Sequence, residues 1–276
     1  MQATPRDYTT ISPSAKSLLL LKGITNIPFA REAARLMIAP HAYEPDLANR
    51  DLLFWGRVMH FEDRYWSIDQ LLSDVPVKNI LELSSGFSFR GLATVKAPGY
   101  HYIDTDLPEV IAVKEKFIAA LKGPAESELE VLPLNALDEA QFEERVSRFP
   151  PGELAIVNEG LLMYLDDAEK EKLCGIIRRI LQQRGGCWIT ADIYRKREGA
   201  RQDAVRDEQW KAFYAQHNIH EKMFDSFEAA GAFFRKMGFT VEKEAVRDHV
   251  KLTALPRFRE NTTPEQWEKM RQTGPI

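Results

Sequence analysis

Two cysteines in 276 residues exclude a disulfide scaffold. Cys174 lies in a helix-like stretch and Cys187 in a strand-like one, so both are expected as free thiols in a reducing, cytoplasmic setting. No apolar run approaches the roughly 20 residues that span a bilayer, so no membrane partner is expected. The longest near the start, Leu18–Leu21, is too short for a secretory signal core. Charge of one sign is missing too: 37 Lys and Arg are spread along the chain against 41 Asp and Glu, for a net −4. That excludes the basic footprint of a nucleic-acid binder. Histidine is scarce, and His217 with His220 offers too few ligands for a metal. Repeats and low-complexity stretches are absent, and so is the G-x-G-x-x-G dinucleotide fingerprint. What remains is a chain with 44% hydrophobic residues, enough for one large α/β domain or two small ones.

The first 75 residues show no strand-like alternation, and 31–38 and 52–72 read as helices, the second rich in aromatics that suit a core. From Val77 the pattern changes. Asn79–Leu83 reads as a short strand ending in the Ser84-Ser85-Gly86 turn, with a helix over 89–95. Residues 100–103 form a second strand closing on Asp104-Thr105-Asp106, and Pro108 opens the next helix, where its missing N–H is harmless. Strands follow at 130–134, 154–157 and 187–191, with helices over 138–148 and after Asp166. Asp166 and Glu169 have capping-box spacing; Leu173, Ile176, Ile177, Ile180 and Leu181 make one apolar stripe; Gly185-Gly186 ends it. Residues 198–217 read as a polar helical insertion and 226–237 as a helix. Alternation over 239–246 and 249–255, joined at Arg247-Asp248, predicts an antiparallel hairpin. A charged tail from Pro256 is expected to pack loosely.

Strands alternating with helices predict a parallel, doubly wound α/β sheet, and ligands of such sheets sit beyond the carboxyl ends of the strands. That places Ser84–Gly86, Asp104 with Asp106, Asn135 with Ala136, Asn158 with Glu159, and Asp192 around one crevice. A small-residue turn lets a ligand approach the backbone, a carboxylate after the second strand suits two ribose hydroxyls, and polar groups after the third can read an adenine edge. With a single glycine and the bulky Phe89, the turn disfavours a pyrophosphate and suits a nucleoside without phosphate.

Three stretches, ILELSSGFSFRGL, YIDTDLPEVI and NEGLLMYL, resemble in order the hallmarks of the leucine carboxyl methyltransferase family, which includes polyketide carboxyl O-methyltransferases; the resemblance covers about residues 14–195. It implies a class I methyltransferase (Rossmann-like) fold with the C-terminal hairpin. It also implies an N-terminal helical cap over 1–75, a cofactor domain over 76–256 with an insertion at 195–225 near the substrate, and a tail from 257. The implied cofactor is S-adenosyl-L-methionine and the implied partner a small-molecule acceptor. Carried over residue by residue, Lys16 and Arg57 fall on the pair that holds the methionyl carboxylate. Asp106 matches the ribose ligand, Asn135 and Ala136 the adenine side, and Glu159 the glutamate against the cofactor; Glu82, Ser84 and Gly86 belong to the first strand and its turn. Ser84 stands where the family has glycine and Asn135 where it has aspartate. Those departures leave open a cofactor-binding scaffold without catalysis, and methylation of a protein C-terminal carboxylate is a further alternative. A carboxylate acceptor needs no general base; a phenol, with a pKa of about 10, benefits from one, for which Asp192, Tyr164 and the histidines are the candidates.

Overall fold

The computed structural model describes residues 13–48, 50–196, 208–246 and 248–266. Three helices come first: α1 (Pro13–Lys22), α2 (Ala30–Ile38) and α3 (Leu52–Ser73). Asp51 caps α3 by accepting from the Phe54 N–H at 2.8 Å. Then strands and helices alternate: β1 (Asn79–Leu83), α4 (Arg90–Thr94), β2 (His101–Asp106), α5 (Pro108–Leu121), β3 (Glu128–Pro133), α6 (Glu139–Ser147), β4 (Leu154–Asn158), α7 (Asp167–Arg184) and β5 (Gly186–Thr190). Last come α8 (Glu208–Gln216), α9 (Phe227–Lys236) and α10 (Leu255–Glu260). The start of the expected insertion, 198–207, lies outside the described residues.

All five strands pair in parallel in the order β3-β2-β1-β4-β5. With a two-residue period, alternate side chains serve opposite faces. Leu81, Leu83, Ile103 and Ile156 pack under α6 and α7, while Ile80, Tyr102, Ala155 and Val157 pack toward α3. The capping box of α7 forms with both reciprocal bonds, and its stripe of Leu173, Ile176, Ile177 and Ile180 is buried. Strand order reverses between β1 and β4, which opens a crevice at their carboxyl ends.

The C-terminal hairpin does not form among the described residues. Gly238 ends α9 at φ 88°, and 239–246 runs without ladder pairing, with Val241 and Val246 60% and 72% exposed. Its alternation therefore has no buried face to serve. It is held instead by α3 and its C-terminal cap: Gln70 Oε1 accepts from the Val246 N–H, and the cap residue Asp74 from Lys243. Beyond it, Leu252, Leu255 and Phe258 recur every third residue, a helical spacing that the alternating reading overlooked. A short 3₁₀ turn at His249–Lys251 leads into α10, whose Leu255 and Phe258 bury against Trp55, Val58 and Met59 of α3. Glu62, fully buried on α3, accepts from the Thr253 and Ala254 N–H groups at 2.8 and 3.0 Å and fixes the start of α10. The part of the expected tail in α10, Arg257–Glu260, is thus anchored rather than loose, and residues 267–276 lie outside the described residues. Both cysteines are free thiols, Cys174 in α7 and Cys187 in β5.

Candidate active site

A cavity of about 1490 Å³ opens at the carboxyl ends of β1, β2 and β4, beneath α1 and α3, and continues past β5. Its size exceeds that of a typical small-ligand pocket of about 300–1,000 Å³, so two ligands fit side by side. Ser84, Gly86, Asp106, Ala136 and Glu159 lie on its wall, and so does Arg57 of α3. Three further expected site residues do not. Lys16 is exposed on α1, away from the cavity. Asn135 is also exposed, its Oδ1 accepting from the Leu137 N–H, so it shapes the loop after β3 rather than facing the crevice. Glu82 is fully buried beneath the turn, bonded to Arg90 and, at 2.6 Å, to the Tyr102 hydroxyl.

The turn after β1 is built on left-handed backbone. Ser84 has φ 49° and Gly86 φ 54°. Asp106 locks it from β2, one oxygen accepting from the Gly86 N–H at 2.6 Å and the other from the Leu107 N–H at 2.7 Å. Burial pushes the Asp106 carboxyl up, against the pull of those two amides. Each carboxylate oxygen keeps a second lone pair, so Asp106 can hold the turn and still accept from a ligand's hydroxyls. Below it, Lys114 is fully buried between Asp104 and the Ser85 hydroxyl, each 2.7 Å away. A Cβ in the left-handed region costs about 1–2 kcal/mol, and glycine gives back about 0.5–1 kcal/mol as unfolded-chain freedom. Ser84→Gly should therefore raise stability by up to about 1 kcal/mol in urea unfolding, and Ser84→Ala by nothing.

Glu159 is the electrostatic centre of the wall. Lys22 donates to its Oε1 at 2.6 Å, Arg90 Nη2 lies 3.3 Å from Oε2, and Arg64 Nη2 lies 3.4 Å from Oε1. Burial alone would raise this carboxyl, but the charges of Lys22, Arg64 and Arg90 together hold it at about 2. The lysine that reaches Glu159 is thus Lys22, six residues beyond the Lys16 that motif spacing selects. Its signal in the sequence is an apolar run, Leu18–Leu21, that leads straight into a charge. Because the folded value lies below the ordinary 4.5, the ionised Glu159 stabilises the fold above that pH. The contribution is lost as pH falls from 4.5 through about 2. It amounts to about 3 kcal/mol. Denaturant titrations at pH 6 and pH 2.5 should show the gap between wild type and Glu159→Gln closing at the lower pH.

Arg90 braces the turn from behind and is not on the cavity wall. It is buried against the Tyr65 ring and reaches Asp69 at 2.6 Å, Glu82 at 2.5 Å and Glu159. At the other end of the cavity, past β4 and β5, Asp192 Oδ2 accepts from the Leu161 and Leu162 N–H groups and from Asn158. It thereby fixes the turn that follows Glu159. Tyr194 lies two residues further on, its hydroxyl accepting from Arg64 Nη1 and 3.1 Å from His60 Nε2. Gly160, at φ 83°, leaves room for Arg64: a Cβ there would stand 3.0 Å from Nη2. The sequence reading missed Arg64 and Tyr194 and did not single out His60 among the histidines; the three belong to no motif and meet only through the fold. Of the histidine pair, His217 is buried beside Phe213 and His220 sits in a 3₁₀ turn on the cavity wall.

No family model matches the chain, and no curated protein does. Solved structures do. A DUF574 family protein from Streptomyces avermitilis aligns over 80% of this chain and 81% of its own, at 16% identity and a TM-score of 0.50. PigF with SAH aligns over 71% of this chain at 16% identity and a TM-score of 0.46. An O-methyltransferase family protein from Burkholderia thailandensis aligns over 71% at 17% and 0.46. The chain spans 56% of the length of each of the latter two. The fold is a Rossmann-like, doubly wound one built on a five-stranded parallel sheet, and the DUF574 family protein shares it. No helix among the described residues is long and apolar enough to cross a membrane.

Proposed function

We propose that the chain is an S-adenosylmethionine-dependent O-methyltransferase, of the type of the leucine carboxyl methyltransferases, acting on a carboxylate or hydroxyl of a small molecule. The observation that carries this reading is the convergence of Asp106, the Ser84–Gly86 turn and Glu159 on one cavity at the switch point of the sheet. Those residues are the ones that the three motifs select. The cofactor fits the groups present. Asp106 has lone pairs for ribose hydroxyls, Leu107, Leu134 and Ala136 offer an apolar flank for a base, and the turn presents backbone instead of bulk. Arg57 and Lys22 supply cations for the methionyl carboxylate, which Arg can hold with two parallel hydrogen bonds.

When bound, S-adenosylmethionine supplies a methyl carbon that gains a bond to the acceptor oxygen as its bond to sulfur breaks, the electron pair leaving on a neutral thioether. The chain's part is to hold, align and exclude water, which supplies much of the acceleration in such displacements. α1 and α3 roof the crevice, and the apolar side chains of Leu18, Leu19 and Met163 keep its inner end dry. The test is incubation with methyl-labelled S-adenosylmethionine and panels of small acids and phenols. Label in an ester or ether, with stoichiometric release of the demethylated cofactor, supports the reading. Cofactor binding with no transfer to any panel member would favour the scaffold alternative.

A further inference from the structure

The acceptor side of the cavity carries a hydrogen-bonded trio, His60, Tyr194 and Arg64, that the cofactor reading does not use. Arg64 is 7% exposed and lines the cavity. Nη1 donates to the Tyr194 hydroxyl, whereas Nε and Nη2 have no hydrogen-bond partner among the described residues. The Nη2 contact with Glu159 Oε1 is a charge contact at 3.4 Å without hydrogen-bond alignment. Buried charged donors are rarely left idle, and these two form the edge of the guanidinium that faces an oxygen with concentrated negative charge. The tyrosine completes the arrangement. A guanidinium only donates, so Tyr194 receives from Arg64 and its own proton is directed to His60 Nε2, 3.1 Å away. Burial pushes the Tyr194 hydroxyl up, so it stays protonated and can relay a proton without becoming the anion itself.

We propose that the methyl acceptor is a phenolic or enolic hydroxyl seated between Arg64 and Tyr194, and that its proton leaves through Tyr194 to His60. The inference rests on the methyltransferase reading and names its acceptor class. A carboxylate, already ionised, has no use for a relay that ends on an imidazole. The acceptor O–H bond breaks and its proton goes to the Tyr194 oxygen, while the Tyr194 proton moves to His60 Nε2. The electron pair left on the acceptor oxygen faces the idle Arg64 donors until it forms the new bond to carbon. His60 ends as imidazolium and returns its proton to water. Phe61, Tyr164 and Met223 line the same space and suit a flat, apolar body. Other titratable groups on this wall include Lys22 on α1, Arg57 and Asp63 on α3, Glu159 and Tyr164 after β4, Asp192 and Arg195 after β5, Tyr214 on α8 and His220 beyond it.

The relay can be read without turnover, by the absorbance of bound para-nitrophenol, which separates phenol from phenolate. Bound to the wild-type protein, the probe should ionise about one pH unit lower than in water, giving about tenfold more phenolate on the acid side of its titration. His60→Gln keeps an acceptor for Tyr194 but cannot carry the proton on, so it should bind the probe within about twofold and lose the tenfold shift. Tyr194→Phe should lose it as well, and Asp192→Asn should retain it. A wild-type protein that binds the probe without shifting its ionisation overturns the proposal. So does one that fails to bind the probe yet binds benzoate, or a shift that vanishes in Asp192→Asn and survives in His60→Gln. Since the probe needs no cofactor, the outcome stays separate from the methyltransferase reading, which is tested by S-adenosylmethionine binding and by transfer of its methyl group.

Discussion

Arg90→Met is expected to destabilise the protein by about 3–5 kcal/mol, the largest effect of any single substitution considered. Arg90 is 1% exposed and holds Asp69, Glu82 and Glu159 at once, so its removal strands three carboxylates without their common cation. Methionine replaces the stem but not the charge. Glu82 is worst placed, being fully buried with only the Tyr102 hydroxyl left to it. Urea unfolding at neutral pH measures the loss. A change below about 1 kcal/mol would mean that the cluster is solvated enough to need no internal cation.

The second large effect concerns ligand binding. Arg57→Ala should weaken S-adenosylmethionine by about 2–4 kcal/mol, because truncating one partner of a shielded charge pair leaves the other unpaired. Binding of methylthioadenosine, which has no carboxylate, should hardly change. Lys16→Ala is expected to alter neither ligand, since Lys16 is exposed and off the cavity wall. Lys22→Ala should weaken both S-adenosylmethionine binding and the fold, because it also releases Glu159. Calorimetry with the two ligands measures these differences. Equal losses for both ligands in Arg57→Ala would assign Arg57 to the fold instead of the ligand.

The contrast between Lys16 and Lys22 shows what the sequence could and could not disclose. Strands β1, β2 and β4 are short apolar runs closed by polar turns, a signal local enough to read, and their carboxyl ends bring Ser84, Asp106 and Glu159 together by topology alone. The capping box at Asp166 was legible for the same reason. The N-terminal helices carry no such punctuation. Which of their cations turns inward depends on how α1 packs against α2 and α3, and motif spacing chose the exposed one. The hairpin failed differently. Alternation at 239–246 and 249–255 is a necessary mark of a strand, but it cannot say whether a neighbouring edge takes it up, and Leu252, Leu255 and Phe258 went to α3 as a helix. His60, Arg64 and Tyr194 are brought into contact across 130 positions or more, beyond what spacing can express.

The central claim is that the cavity at the ends of β1, β2 and β4 is a nucleoside site carrying a methyl donor. Its most direct measurement is calorimetric titration of S-adenosylmethionine into the wild-type protein and into Asp106→Ala. Saturable binding at one site is expected for the wild type. Loss of the charge-assisted bonds to the ribose should weaken the variant by about 1.5–3 kcal/mol while its fold survives. A wild-type protein that takes up no S-adenosylmethionine, or a variant that binds it as tightly as the wild type, would contradict the account.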